Sequence, residues 1–177
     1  MRETLAVQPL EGYPPEIGIW LWAMEETRTR TKTQVEGIGQ AVADWAGPEG
    51  DENSIGTLLY HLAVVEMGWL HFDTLEQPER FPEADFPFEP FTGGRITPVT
   101  GVSLDEHLAR LDKSRAIFLE RIKEINLADW SSLRSPEGEN YEVSPAWMVF
   151  HLVEHEAGHA AQISVLKKRA RAALQGA

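Results

Sequence analysis

Four stretches of this sequence repeat apolar side chains at three- and four-residue steps, and no other feature restricts the fold as much. The first runs from about Pro15 to Ile38, behind Pro14, with Ile17, Leu21, Met24, Val35 and Ile38 near one stripe and Trp20 beside it. The second runs from about Ser54, a suitable N-cap, to Leu75 and carries Leu58, Leu62, Val65, Trp69 and Phe72. The third begins at Ser103, with Glu106 at capping-box spacing, and continues through Leu104, Leu108, Leu111, Phe118, Ile122 and Ile125. The fourth begins at Ser144-Pro145 and runs to about Ala173 through Trp147, Phe150, Val153, Ile163 and Leu166. Its late cations Lys167, Lys168, Arg169 and Arg171 suit the negative end of a helix dipole. No comparable period-two alternation occurs. The expectation is an all-α, up-and-down four-helix bundle, one domain over residues 1–177.

Charge narrows the partners. Lys and Arg number 16 against 28 Asp and Glu, a formal net charge of −12. Phosphate backbones and anionic lipid surfaces repel such a chain, so neither nucleic acid nor membrane is expected as a partner. With no cysteine, disulfides, thiolate ligands and a cysteine nucleophile are excluded. The N-terminus lacks the apolar stretch of a signal peptide, and the longest apolar run, Ile19 to Met24, is far too short to span a bilayer. A cytoplasmic location is expected.

The connection from Gln77 to Val102 holds five of the eleven prolines and four of the seven phenylalanines, Phe81, Phe86, Phe88 and Phe91. Proline disfavours a regular helix there, and the aromatic content disfavours a free linker. A lid over a site, a loop packed on the bundle and a dimer contact all fit this composition.

Half of the six histidines fall in the fourth segment, as His151, His155 and His159. Residues four apart share a helix face, so His155 and His159 can bind one ion without bending the backbone. Met148, Gln162 and Leu166 lie on the same stripe. Residues 155–159 also read H-E-x-x-H, the zincin pattern. No His, Asp or Glu follows His159, however, so the downstream ligand of such a protease is missing. The third ligand must lie upstream, and His61, at the edge of the second stripe, is the best placed. His71 and His107 stand near the end and the start of their segments and are expected to face solvent. Three imidazoles with an open fourth position make a catalytic arrangement. Around them, Gln162 could orient an imidazole, and His151 could serve beside the pair or as a buried core residue. Glu156 is the candidate base, although a charge flanking the ligands more commonly faces solvent. Arg28 and Arg115 interrupt the stripes of the first and third segments. Each must pair with an acid, reach the surface, or hold an anionic substrate group.

The run Ser54-Ile55-Gly56-Thr57-Leu58-Leu59-Tyr60-His61-Leu62-Ala63 with Glu66 and Trp69, followed by His155-x-x-x-His159-x-x-Gln162-Ile163, resembles the DinB-like (YfiT-like) superfamily of metal-dependent hydrolases. The similarity extends from about Tyr13 to Ala172. It implies a four-helix bundle with its metal triad on His61, His155 and His159. It also implies a divalent ion such as zinc or nickel, and a homodimer. Some members are thiol S-transferases that use a low-molecular-weight thiol as cosubstrate. Where the family often has His-Arg-Gly-Gln, this chain has His159-Ala160-Ala161-Gln162, which implies different substrate handling. Two readings follow: a metal-dependent enzyme acting on a small molecule by thiol transfer or hydrolysis, or a non-enzymatic, stress-linked metal-binding or interaction protein.

Overall fold

A computed structural model describes residues 5–176, so the two ends of the expected 1–177 span lie outside the described residues. Among them, four long helices make up the body. Helix α1, Pro15–Val35, starts with proline in its first turn, where the missing N–H has no helical partner to lose. It stops before Ile38 in a tight turn, where Glu36 has φ −55° and ψ 130°, Gly37 takes a left-handed φ of 68°, and the Ile38 N–H donates to the Val35 carbonyl at 3.3 Å. A single-turn helix α2, Gln40–Ala43, follows. Helix α3, Ile55–Gly68, is capped by Ser54, whose side chain accepts from the Thr57 N–H at 3.1 Å. Helix α4, Leu104–Arg121, carries the complete capping box between Ser103 and Glu106. Helix α5, Pro145–Gln175, is capped by Ser144 and is the longest of the set. No helix of the described residues is long and apolar enough to cross a membrane.

Helix α1 packs along α5, and α3 packs between α4 and α5. Two apolar clusters fill the interior. One gathers Ile17, Leu21, Met67, Phe118, Met148 and Leu152, and the other Val35, Leu58, Leu62, Leu111, Ile163 and Leu166. Between them each long helix contributes one member of a buried ion-pair cluster: Arg28 from α1, Glu66 from α3, Arg115 from α4 and Glu156 from α5.

The second segment does not remain an α-helix to Leu75. Residues Trp69–Thr74 form a π-turn, with the Leu75 N–H bonded to the Leu70 carbonyl. A π-turn holds more residues per turn, so side chains beyond it leave the α register. Leu70, His71 and Thr74 therefore turn inward, while Phe72, expected in the stripe, is exposed. Trp147 and Phe150 also lie outside the buried stripe of α5. Each covers part of itself against another ring, Trp147 stacked on His151 and Phe150 edge-on to Trp20.

The Pro/Phe-rich connection is ordered and packed. It contains 3-10 turns at Pro78–Arg80 and Glu83–Asp85 and an antiparallel ladder, β1 (Phe91–Thr92) with β2 (Arg95–Ile96). Gly93 and Gly94 turn that ladder with φ of 59° and 76°, values that side chains resist. The Tyr60 hydroxyl of α3 donates to the Phe88 carbonyl at 2.7 Å and accepts from the Phe88 N–H at 3.0 Å, fastening the connection to the bundle.

Candidate metal centre

His61 comes from the middle of α3, and His155 and His159 from successive turns of α5. The packing of these two helices brings the three rings together. The His155 Nε2 lies 3.1 Å from the Nε2 of His61 and 3.1 Å from that of His159, and one nitrogen from each ring lies within 4.8 Å of the others. A neutral imidazole nitrogen offers one N–H or one in-plane lone pair. The His155 Nε2 therefore cannot satisfy both neighbours by hydrogen bonding. A shared cation satisfies all three, and imidazole nitrogens about 2.0–2.1 Å from one ion stand roughly 3 Å apart.

The surroundings select the ligand form. Burial, with the charge of His159 adding, pushes the His61 imidazole down to about 4. Burial and the neighbouring imidazoles push His155 down to about 3, and burial also lowers His159. All three are thus neutral, as a metal ligand must be. His159 Nδ1 lies 3.1 Å from Gln162 Oε1. A carboxamide oxygen only accepts, so this bond places the proton on Nδ1 and leaves the Nε2 lone pair free. The donor set consequently fits a divalent cation.

The remaining candidates fall elsewhere. His151 lies between Trp147 and Trp69, with ring centroids 5.1 and 5.2 Å away, one step removed from His155. Glu156 is buried, contrary to the expectation that charges flanking the ligands face solvent. Its carboxylate accepts from Arg28 Nε at 2.8 Å and Arg115 Nη2 at 3.4 Å. The two arginines also share Glu66, at 2.9 Å from Arg28 and 2.7 Å from Arg115, and Arg115 reaches the half-exposed Glu25 at 2.8 Å. Arg28 further donates to the Leu111 carbonyl of α4. The arginines therefore pair with acids. Burial alone would raise the Glu66 carboxyl, but the charges and hydrogen bonds of Arg115 and Arg28 hold it below the usual carboxylate range. Because Glu66 shares α3 with His61, and Glu156 lies between His155 and His159 on α5, the four-residue cluster joins the two helices that carry the imidazoles.

Two histidines depart from expectation. His71 and His107 are both buried rather than solvent-facing. The π-turn rotates His71 inward against Phe81. His107, in the first turn of α4, lies against α3, where a Cβ on Gly56 would come within 3.0 Å of its Nε2. Glycine at that position makes the room.

The pairing role of Glu66 was not read from the sequence. The signal was present, since Glu66 is the one Asp, Glu, Lys or Arg in the apolar run Ile55–Gly68.

Beside the triad lies a cavity of about 1140 Å³, bounded by the end of α3, the aromatic connection and the segment leading into α5. Two of its walls border the histidines. Phe91 packs edge-on to His61 with centroids 5.5 Å apart, and Trp69 packs against His151.

Comparison with known proteins agrees with this arrangement. The model of the DinB superfamily matches residues 23–163, which include the three converging imidazoles and the Arg28, Glu66, Arg115 and Glu156 cluster. The chain is also similar to YkkA, an uncharacterized protein of Bacillus subtilis (strain 168), at 26% identity over 160 residues, 87% of either chain.

Proposed function

This chain belongs to the DinB superfamily, and from that premise we propose that it is a metal-dependent enzyme. His61, His155 and His159 hold a divalent cation, zinc or nickel, beside a cavity that receives a small molecule. One observation carries the reading: three neutral, largely desolvated imidazoles converge through Nε2, and one of them is oriented from behind by Gln162. A bound divalent ion would supply Lewis acidity and lower the pKa of a coordinated thiol or water. The chain's own residues do the rest. Gln162 sets the His159 tautomer, Phe91 packs edge-on to His61, and Arg28 and Arg115 retain Glu156 in the interior. Because Glu156 is engaged by two guanidinium groups, the base that the H-E-x-x-H spacing offers for water is occupied. That favours thiol transfer over hydrolysis, since a thiol of pKa about 8.5 needs only modest lowering to ionise. The cosubstrate is then a low-molecular-weight thiol, and its partner an electrophilic small molecule.

Elemental analysis of the purified protein tests the centre. Roughly one divalent ion per chain is expected. His61→Ala, His155→Ala and His159→Ala should each lose most of it, while His151→Gln should retain it. Full metal in His61→Ala with loss in His151→Gln would move the third ligand to His151. The catalytic half is tested by thiol consumption with a panel of electrophiles, which should require the metal. Metal-dependent turnover of esters or amides without any thiol would replace transfer by hydrolysis.

A further inference from the structure

The cavity beside the triad differs from the triad in chemistry. Its walls carry the rings of Trp69, Phe72, Phe81, Phe88 and Tyr141, and its rim carries Asp73, Glu76, Glu83, Glu89, Glu137 and Glu139. No Lys, Arg or His lines it. Among the described residues none of these six carboxylates forms a salt bridge, although nearby cations do pair with other acids, Lys113 with Asp85 and Arg80 with Glu124. We propose that this cavity binds an organic cation, a small molecule with an ammonium or amidinium head on an apolar body.

Aromatic faces attract cations within about 6 Å of the ring centroid, and apolar walls strengthen the field of nearby carboxylates. An anion would meet only like charge there. The cavity exceeds the roughly 300–1000 Å³ of ordinary small-molecule sites, which suits an organic body better than a bare ion. Tyr141 donates to Asp73 at 2.6 Å, and burial raises the Asp73 carboxyl. That acid thus lies in a partly desolvated wall where a cation would favour its charged form. As a statement of substrate class the proposal rests on the reading of the triad as a metal centre. As a statement of binding it does not.

The test titrates the metal-loaded protein, by calorimetry and tryptophan fluorescence, with benzyltrimethylammonium, neutral N-benzylacetamide and benzenesulfonate. The cation should bind roughly tenfold or more tightly than either companion, and less tightly as salt rises. Phe72→Ala and the triple variant Glu89→Gln, Glu137→Gln, Glu139→Gln change exposed side chains and should keep metal content and helicity. Each should weaken the cation about fivefold or more. Equal binding of the three probes, tighter binding of the sulfonate, or unchanged affinity in both variants would overturn the proposal. Repeating the titration on His61→Ala, His159→Ala separates the two readings. Cation selectivity that survives loss of the metal supports the cavity on its own. Metal binding without selectivity refutes the cation while leaving the triad intact.

Discussion

A buried histidine without partners is a proton that the fold refuses. Both ring nitrogens of His107 lack hydrogen-bond partners among the described residues, and burial, reinforced by Arg110, lowers its imidazole to about 4. The unfolded chain titrates near 6.5, so between roughly pH 6.5 and 4 it holds a proton that the folded protein does not. Stability therefore falls on acidification across that window and changes no further on this account below it. His107→Leu, which cannot titrate, should flatten the slope by up to about 1.4 kcal/mol per pH unit. Urea unfolding from pH 7.5 to 4.0 would show this, and parallel curves for variant and wild type would refute it. Individual residues were unequally legible in the sequence. His155, His159 and Gln162 share one helix, where spacing alone determines which side chains meet. His107 and Glu66 depend on partners distant in sequence, Gly56 for one and two arginines for the other. No local pattern encodes such pairings.

At the scale of elements, the four long helices follow from their apolar period and their caps, because those signals are local. The π-turn at Trp69–Thr74 was hidden for the converse reason: its residues keep an apolar rhythm that an α-helix would also produce, and only packing reveals the shift. The ladder at Phe91–Ile96 is too short to show alternation. What holds this aromatic connection down is concentrated at Tyr60, whose hydroxyl bonds both backbone groups of Phe88 while its ring meets Phe86 and Phe88 edge-on. Tyr60→Phe keeps the ring and removes both bonds, at a cost of about 1–3 kcal/mol. Hydrogen exchange should quicken at the Phe88 amide while the amides in the middle of α5 stay protected. Unchanged exchange at Phe88 would mean that the rings alone seat the connection.

Across the whole molecule, two guanidinium groups and two carboxylates, one from each long helix, cross the interior between two apolar clusters. Removing one member leaves an uncompensated buried charge. Arg28→Met should cost about 3–5 kcal/mol in urea unfolding, whereas replacing all four by apolar residues of similar volume should be neutral or stabilising by about 1–4 kcal/mol. A single-variant loss below about 1 kcal/mol would show that water or relaxation screens the cluster. Such an arrangement also shapes how the protein can change over generations. Any path away from it by single steps crosses a poorly folded intermediate, whereas the exposed side chains of the aromatic connection can be exchanged one at a time at little cost. Lineages descended from this chain are thus free to vary the exposed cavity wall while the positions that join α3 to α5 remain immobile, so variety at the wall and constancy of the histidine cluster arise from the same asymmetry.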